Sequence, residues 1–355
     1  MRILLLTRYE RLGSSSRVRF YQYLPYLAAQ GVKIVTAPFF HDEYVRNLYA
    51  GRRTSLKTVL RAYFERLSIL THNATFDLLW LEKELFPWIP AWLEALCQRR
   101  NLPYVVDYDD AVFHRYDMHS NALVRLLLGH KIDNLMHHAK MVIVGNEYLA
   151  QRAIKAGAQK VARLPSVVDV KQYTTKDTLS NSVFKIGWIG SPVTASYLDL
   201  IRDGIGALSR EVDVQLVLIG AGAIAPFHNI PMEILPWSED LERKISQKFD
   251  VGIMPLVDGP FERGKCGYKL IQYMASALPV VASPVGVNQQ IVEPHVNGYL
   301  AASSTEWLVA LRELRDDIRK RKTMGQAGRQ KAEQMYNLQV TAPKLLSLLS
   351  SLMKT

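Results

Sequence analysis

Four segments carry side chains whose types and spacing could do chemistry. Two are small-residue turns, Gly13-Ser14-Ser15-Ser16-Arg17 and Gly190-Ser191-Pro192-Val193-Thr194, each following an apolar run. Small residues there let backbone N–H groups and a helix N-terminus approach a phosphate; the same residues also serve as plain turns with N-cap serines. A third segment, Arg263-Gly264-Lys265-Cys266-Gly267-Tyr268-Lys269, places a glycine-containing loop before a helix start. Its amides, the helix dipole and the cations Arg263, Lys265 and Lys269 suit a diphosphate. The fourth, Asp107-Tyr108-Asp109-Asp110 leading to His114, offers carboxylates that can orient a hydroxyl and an imidazole that can reach a phosphate. The plainer alternative is that Asp109 or Asp110 caps a helix and His114 is a surface residue. An Asp-x-Asp pair also invites a divalent metal, but hard cations need several converging oxygen ligands and the neighbouring histidines lack ligand spacing. No metal and no cofactor are expected. Neither small-residue turn has the spaced glycines of a dinucleotide fingerprint or the Gly-Lys-Ser/Thr of a P-loop, which argues against a dehydrogenase or an ATPase.

These segments need elements to hold them. Short apolar runs at Ile3–Leu6, Val32–Thr36, Leu78–Leu81, Tyr104–Asp107 and Met141–Val144 alternate with amphipathic stretches. After the polar stretch Thr174 to Ser182 the pattern restarts at Phe184–Ile189, Val214–Ile219, Met232–Leu235, Val251–Met254 and Pro279–Ala282. Near-continuous apolar strands separated by helices indicate a parallel sheet covered on both faces. The expected organisation is a Rossmann-like domain over 1–176, a second over 183–335, and a terminal helix over 336–355 packing back across the junction. Ligands of open α/β sheets sit beyond the carboxyl ends of the strands, so two such domains facing each other would form one cleft.

At 355 residues, with 48% apolar and 22% charged residues, the chain is long enough for two folded cores and is not disordered in character. Two cysteines, Cys97 and Cys266, give no disulfide framework. No stretch approaches the roughly 20 apolar residues of a membrane span. The expected location is the cytoplasm. Of the net charge of +11, residues 1–175 carry +9, with 24 Lys and Arg against 15 Asp and Glu. That asymmetry points to an anionic partner such as a membrane surface, a phosphorylated acceptor or nucleic acid.

The stretch from Phe249 through Gly264-Lys-Cys-Gly-Tyr268, Gln272 and Pro279-Val-Val-Ala-Ser283 resembles the donor-binding signature of glycosyltransferase family 4 and its GT-B relatives. The likeness extends through Asn146-Glu-Tyr-Leu149, Pro165-Ser-Val-Val-Asp169, Leu235-Pro-Trp237 and Met324-Gly-Gln-Ala-Gly328. It implies a GT-B fold of two doubly wound α/β domains and a metal-independent, retaining transfer from a nucleotide-sugar to a glycan or lipid-linked acceptor. By the same resemblance the loop amides hold the donor diphosphate and Trp237 lies by the nucleobase. The family's paired acidic residues align with Gly264 and Gln272; Gln272 can still bond ribose hydroxyls but without charge. The implied donor-binding set is Gly13, Ser14, Gly190, Ser191, Trp237, Arg263, Gly264, Lys265, Cys266, Gly267, Tyr268, Lys269 and Gln272, with Asp109, Asp110 and His114 as the catalytic candidates.

Residues Arg46 to Arg66 read as a basic, partly amphipathic helix that could rest on anionic lipid at the inner face of the cell membrane. A solvated charged face over a core stripe is the alternative. The missing acidic pair keeps open a degenerate, non-catalytic nucleotide-sugar binding protein. A phosphorylase is disfavoured by chain length, and nucleic acid, suggested by charge alone, is not an expected partner.

Overall fold

A computed structural model describes residues 1–52, 54–71, 75–92, 102–176, 183–227 and 230–353. Arg53, Cys97 and residues 177–182 of the expected linker lie outside the described residues. The chain divides into two compact units: Met1–Ser166 with Arg263–Cys266 and Thr341–Thr355, and Val167–Glu262 with Gly267–Val340.

The first unit is built on strands β1 (Arg2–Leu6), β2 (Lys33–Thr36), β3 (Leu78–Glu82), β4 (Tyr104–Tyr108), β5 (Met141–Val144) and β6 (Val161–Arg163) in the order β2-β1-β3-β4-β5-β6. The second uses β7 (Phe184–Ile189), β8 (Val214–Ile219), β9 (Met232–Leu235), β10 (Val251–Met254), β11 (Val280–Ala282) and β12 (Gly298–Leu300) in the order β12-β11-β10-β7-β8-β9. Every pairing is parallel. Strands β3, β4 and β5 are buried along their whole length, as Leu-, Val- and Ile-rich strands covered on both faces must be. The ten apolar runs of the sequence are all strands. The edge strands β6 and β12 add a sixth to each sheet; both are three residues long, β6 is half-exposed, and β12 begins on Gly298, so neither has an apolar run to announce it.

In each sheet the first strand is where the winding reverses, between β1 and β3 and between β7 and β10. That is the point at which open α/β sheets leave room for ligands at their carboxyl ends. Both small-residue turns follow these first strands. The helices the site needs are α1 (Ser14–Arg19), α2 (Asp42–Tyr49), α3 (Leu56–Thr71), α4 (His114–Asp117), α5 (Ala122–Leu128), α6 (Glu147–Lys155), α7 (Tyr268–Ala275), α8 (Ser304–Asp316), α9 (Ile318–Met335) and α10 (Leu338–Ser350).

In the second unit α7 lies on β10 because Gly252 has no side chain: a Cβ there would meet the Tyr273 ring 2.2 Å away. The Tyr273 hydroxyl accepts from Ile189 N–H at 3.0 Å and donates to the Ile253 carbonyl at 3.2 Å, tying the helix to the ends of both central strands. On the other side of α7, Gly325 of α9 passes the Ala277 carbonyl so closely that a Cβ would come within 2.0 Å of the oxygen. The helix that begins at Tyr268 is thus fixed from both faces.

The segment expected to be one basic helix from Arg46 to Arg66 is two. Helix α2 ends at Tyr49, Gly51 turns the chain with φ of +66°, and Ser55 Oγ accepts from Thr58 N–H at 3.2 Å to start α3. Arg66 does not face outward: it is buried, donating to the Thr7 carbonyl at 2.7 Å and the Ala37 carbonyl at 3.2 Å over the Phe39 ring.

Candidate functional site

At the carboxyl end of the second sheet, Gly190 follows β7 and Gly220 follows β8. A Cβ on Gly190 would lie 2.5 Å from the Trp188 ring and 2.9 Å from Lys269 Cε, so the lysine stem crosses directly over this turn. The Lys269 ammonium stands 5.2 Å from the Trp188 ring centre. Gly220, at φ of +77°, abuts the Gly190 carbonyl and the Trp237 Cβ. Ser191 caps the short helix Pro192–Ala195, its amide donating to Thr194 Oγ1 at 3.3 Å. Gly190, Ser191, Trp237 and Lys269 therefore gather around one set of strand ends.

Beneath them is a residue the sequence did not single out. Glu242 is 6% exposed and accepts from Trp237 Nε1 at 2.9 Å, from the Tyr173 hydroxyl at 3.0 Å and from the Tyr268 hydroxyl at 3.2 Å. One carboxylate thus orients both Trp237 and Tyr268, and burial together with this acid pushes the Tyr173 hydroxyl well above its ordinary range. Gln272 is 2% exposed, and its side chain lowers the Tyr173 hydroxyl against those effects.

Gly267 begins α7 in the left-handed region at φ of +64°, where a Cβ would also meet Ile291 Cδ1 at 2.2 Å. The preceding residues Arg263–Cys266 cluster with the first unit. Asn146, buried at the start of α6, donates through Nδ2 to the Gly264 carbonyl at 2.8 Å and the Lys265 carbonyl at 3.0 Å, while its Oδ1 caps Leu149 N–H at 3.0 Å. Gly264 lies against the Ala111 backbone; a Cβ would come 2.5 Å from Ala111 Cβ and 2.8 Å from its nitrogen. A side chain at this position has no space. Cys266 is buried in the gap left by Gly145, and burial pushes its thiol up to about 12, so it serves packing rather than nucleophilic chemistry.

At the carboxyl end of the first sheet, Gly13 lies against Tyr9, where a Cβ would be 2.3 Å from Tyr9 Cβ, and Ser14 starts α1 on the exposed side. Asp107 is held by Arg19, with Oδ1 2.8 Å from Nε and Oδ2 3.1 Å from Nη2. Burial raises its carboxyl to about 6 against the lowering pull of that guanidinium. Lys83 Nζ stands 2.9 Å from Asp109 Oδ1 and 2.9 Å from Asp110 Oδ2, and the lysine backbone is left-handed at φ of 63°. A buried lysine in a sparsely populated conformation at a strand end is strain of the kind that accumulates at functional sites. Arg19 and Lys83 are thus the cations paired with these aspartates. His114 Nδ1 is 2.8 Å from Asp117 Oδ1 and Nε2 is 2.7 Å from the Tyr148 hydroxyl, so both ring nitrogens are engaged.

Residues 183–317 match the family model described as Glycosyl transferases group 1. No curated protein matches the sequence. Among solved structures, sucrose-phosphate synthase from Thermosynechococcus elongatus is 15% identical, with 100% of this chain and 99% of that chain covered at a TM-score of 0.74. HepE from Anabaena, solved in complex with UDP-glucose, is 16% identical with 99% and 100% covered at 0.73. The lipopolysaccharide outer core galactosyltransferase WaaB is 11% identical with 99% and 100% covered at 0.62. Residues 183–317 thus form a glycosyl transferases group 1 domain, and the chain is a glycosyltransferase enzyme with the GT-B fold.

Proposed function

We propose that this chain transfers a sugar from a UDP-sugar to a hydroxyl of a glycan or lipid-linked acceptor, without a metal ion and with retention. The observation that carries the reading is the convergence of Gly190, Ser191, Trp237, Tyr268 and Lys269 at the second sheet's strand ends, with Glu242 fixing the aromatic pair. In this reading Trp237 borders the base, Lys269 and the amides after Gly190 and Gly267 meet the diphosphate, and Gln272 supports the floor through Tyr173. Arg263 and Lys265 add positive charge to the same loop. The uridine base is assigned from HepE, which was solved with UDP-glucose. Fixed cations and amides aimed at the leaving diphosphate would stabilise the charge that develops there, and that diphosphate takes the acceptor's proton. Asp109 and Asp110 orient the acceptor hydroxyl, with His114 as a neighbouring positioning residue. The aspartates' engagement by Lys83 supports catalysis without a metal.

A lipid-linked acceptor accords with the outer surface of the first unit. Leu56, Leu60, Phe64 and Leu67 recur along α3 at helical spacing and are exposed, Phe64 at 74%. Trp88, Trp92 and Met118, and Leu123, Leu126 and Leu127 of α5, are exposed too, as are Arg52, Lys57, Arg61 and Arg125. Apolar and basic side chains side by side suit an anionic bilayer surface. Among the described residues no helix is long and apolar enough to cross a membrane.

Thermal-shift titration against UDP, GDP, ADP, TDP and CMP tests the donor, followed by hydrolysis assays with the matching nucleotide-sugars. A UDP shift with slow sugar release is the expected result; preference for another nucleotide overturns the base assignment. A second reading, a binding protein without turnover, is favoured by Gly264 and the buried Gln272 at the family's acidic positions. A melting shift with no release of sugar to water or to any acceptor would select it.

A further inference from the structure

Ser15 has one hydroxyl proton, yet its Oγ lies 2.9 Å from Glu82 Oε1 and 2.8 Å from Asp109 Oδ2. The other Glu82 oxygen, Oε2, already accepts from Ser16 Oγ at 2.6 Å and Arg8 N–H at 2.7 Å. Two ionised carboxylates cannot both accept a single hydroxyl proton, and two oxygens at such a distance with no hydrogen between them repel. One further proton belongs on this line. Glu82 is 2% exposed, and a second negative charge on a buried line is expensive in a low dielectric.

We propose that Glu82 and Asp109 share one proton through Ser15 Oγ, which makes Glu82 and Ser15 positioning residues that set how Asp109 meets an incoming sugar hydroxyl. In one state Glu82 Oε1–H donates to Ser15, whose own proton bonds ionised Asp109. In the other, Glu82 is the carboxylate, held by Ser15, Ser16 and the Arg8 amide, and neutral Asp109 donates to Ser15. Passage between them moves one proton onto Ser15 as another leaves it, with no change in net charge and no exchange with solvent. Asp109 can thereby accept from a hydroxyl or offer it a neutral carboxyl oxygen. Burial and the neighbouring Asp109 raise the Glu82 carboxyl above its usual range, while Lys83, Ser16 and the Arg8 amide lower it; Lys83 and Arg19 hold Asp109 below its own. The proton therefore rests mainly on Glu82. Asp110, Asp107 and the Tyr21 hydroxyl are further titratable groups around the pair.

The use made of the dyad rests on the transferase reading, but its test needs neither donor nor acceptor. Glutamate labelled with 13C at the δ-carboxyl is incorporated into the full chain and followed by NMR across pH. One resonance should keep the protonated chemical shift at pH 7, vanish in Glu82→Gln, and titrate at least about one pH unit lower in Asp109→Asn, as coupled acids do. Should Glu82→Gln not fold, the shifted midpoint in Asp109→Asn identifies the resonance. Absence of any protonated glutamate at pH 7, or a midpoint indifferent to Asp109→Asn, overturns the dyad and leaves the transferase reading untouched.

Discussion

By the resemblance Gly264 stands where the family pattern has an acidic residue, and the structure says what a side chain there would cost. A Cβ would sit 2.5 Å from Ala111 Cβ, 2.8 Å from its nitrogen and 3.1 Å from its Cα, whereas carbon atoms rest at about 3.5–4.0 Å. The strands of chain must part by about 1 Å. Ala111 is fully buried and its carbonyl holds the first turn of α4 through His114 N–H at 2.9 Å. Gly264 is itself pinned by Asn146 at 2.8 Å. With overpacking at about 1–3 kcal/mol and a strained buried hydrogen bond at about 1 kcal/mol, Gly264→Ala should cost about 2–4 kcal/mol. Urea unfolding should show a lower midpoint at unchanged slope. Gly206→Ala is the control: nothing lies within 4 Å of its Cβ, and it sits in the helix Arg202–Ser209, so it should gain about 0.5–1 kcal/mol. A Gly264→Ala loss below about 0.5 kcal/mol would show that the loop moves freely away from Ala111 and would refute the packing argument. Gly264→Glu, which restores the family's residue, should then destabilise the chain rather than improve turnover.

Glu242→Ala removes the carboxylate that accepts from the Trp237 indole and two tyrosine hydroxyls; it should weaken UDP binding by at least about tenfold and lower the melting temperature, and wild-type affinity would detach the aromatic pair from the donor site. Lys269→Ala and Lys265→Ala should each reduce affinity for UDP more than for uridine, and equal losses for the two ligands would mean the ammonium groups do not face phosphate. Leu60→Asp with Phe64→Asp should abolish co-flotation with vesicles rich in anionic lipid while leaving UDP binding intact; undiminished flotation would rule out α3 as the contact. Asp107 binds its proton more tightly when folded, at about 6 against 3.8 unfolded, so its contribution is present below pH 3.8 and lost as pH rises through 6, about 3 kcal/mol in all. Relative to Asp107→Asn, the wild type should therefore lose stability between pH 4 and 7; a gap that moves the other way would show that Arg19 outweighs burial.

What the sequence made legible depended on whether the information was local. Strands such as Met141–Val144 declare themselves because both faces are buried and the run is apolar throughout, so the eight central strands could be read directly, and the four-residue edge strands β2 and β9 still carry enough apolar residues to be seen. Edge strands β6 and β12 could not, since three residues at a sheet margin carry little apolar pattern. The turns after β1 and β7 were legible for the same local reason, as glycine and serine following a strand. Side chains assembled from distant positions were not. Glu242 reaches Tyr173, Trp237 and Tyr268 from a helix whose sequence, Glu-Asp-Leu-Glu-Arg, looks like an ordinary solvated turn. Glu82, Lys83 and Glu84 carry a signal of a different kind: three consecutive charges directly after the apolar run Leu78–Leu81, at the end of a strand that must be covered. Charges in that position are either exposed or joined to other charges, and here all three are buried. Asp107, Asp109 and Asp110, following the adjacent strand, are the partners such a triplet requires. In the structure Arg19 pairs with Asp107, and Lys83 pairs with both Asp109 and Asp110, so the charges that follow the two adjacent strands are joined to one another.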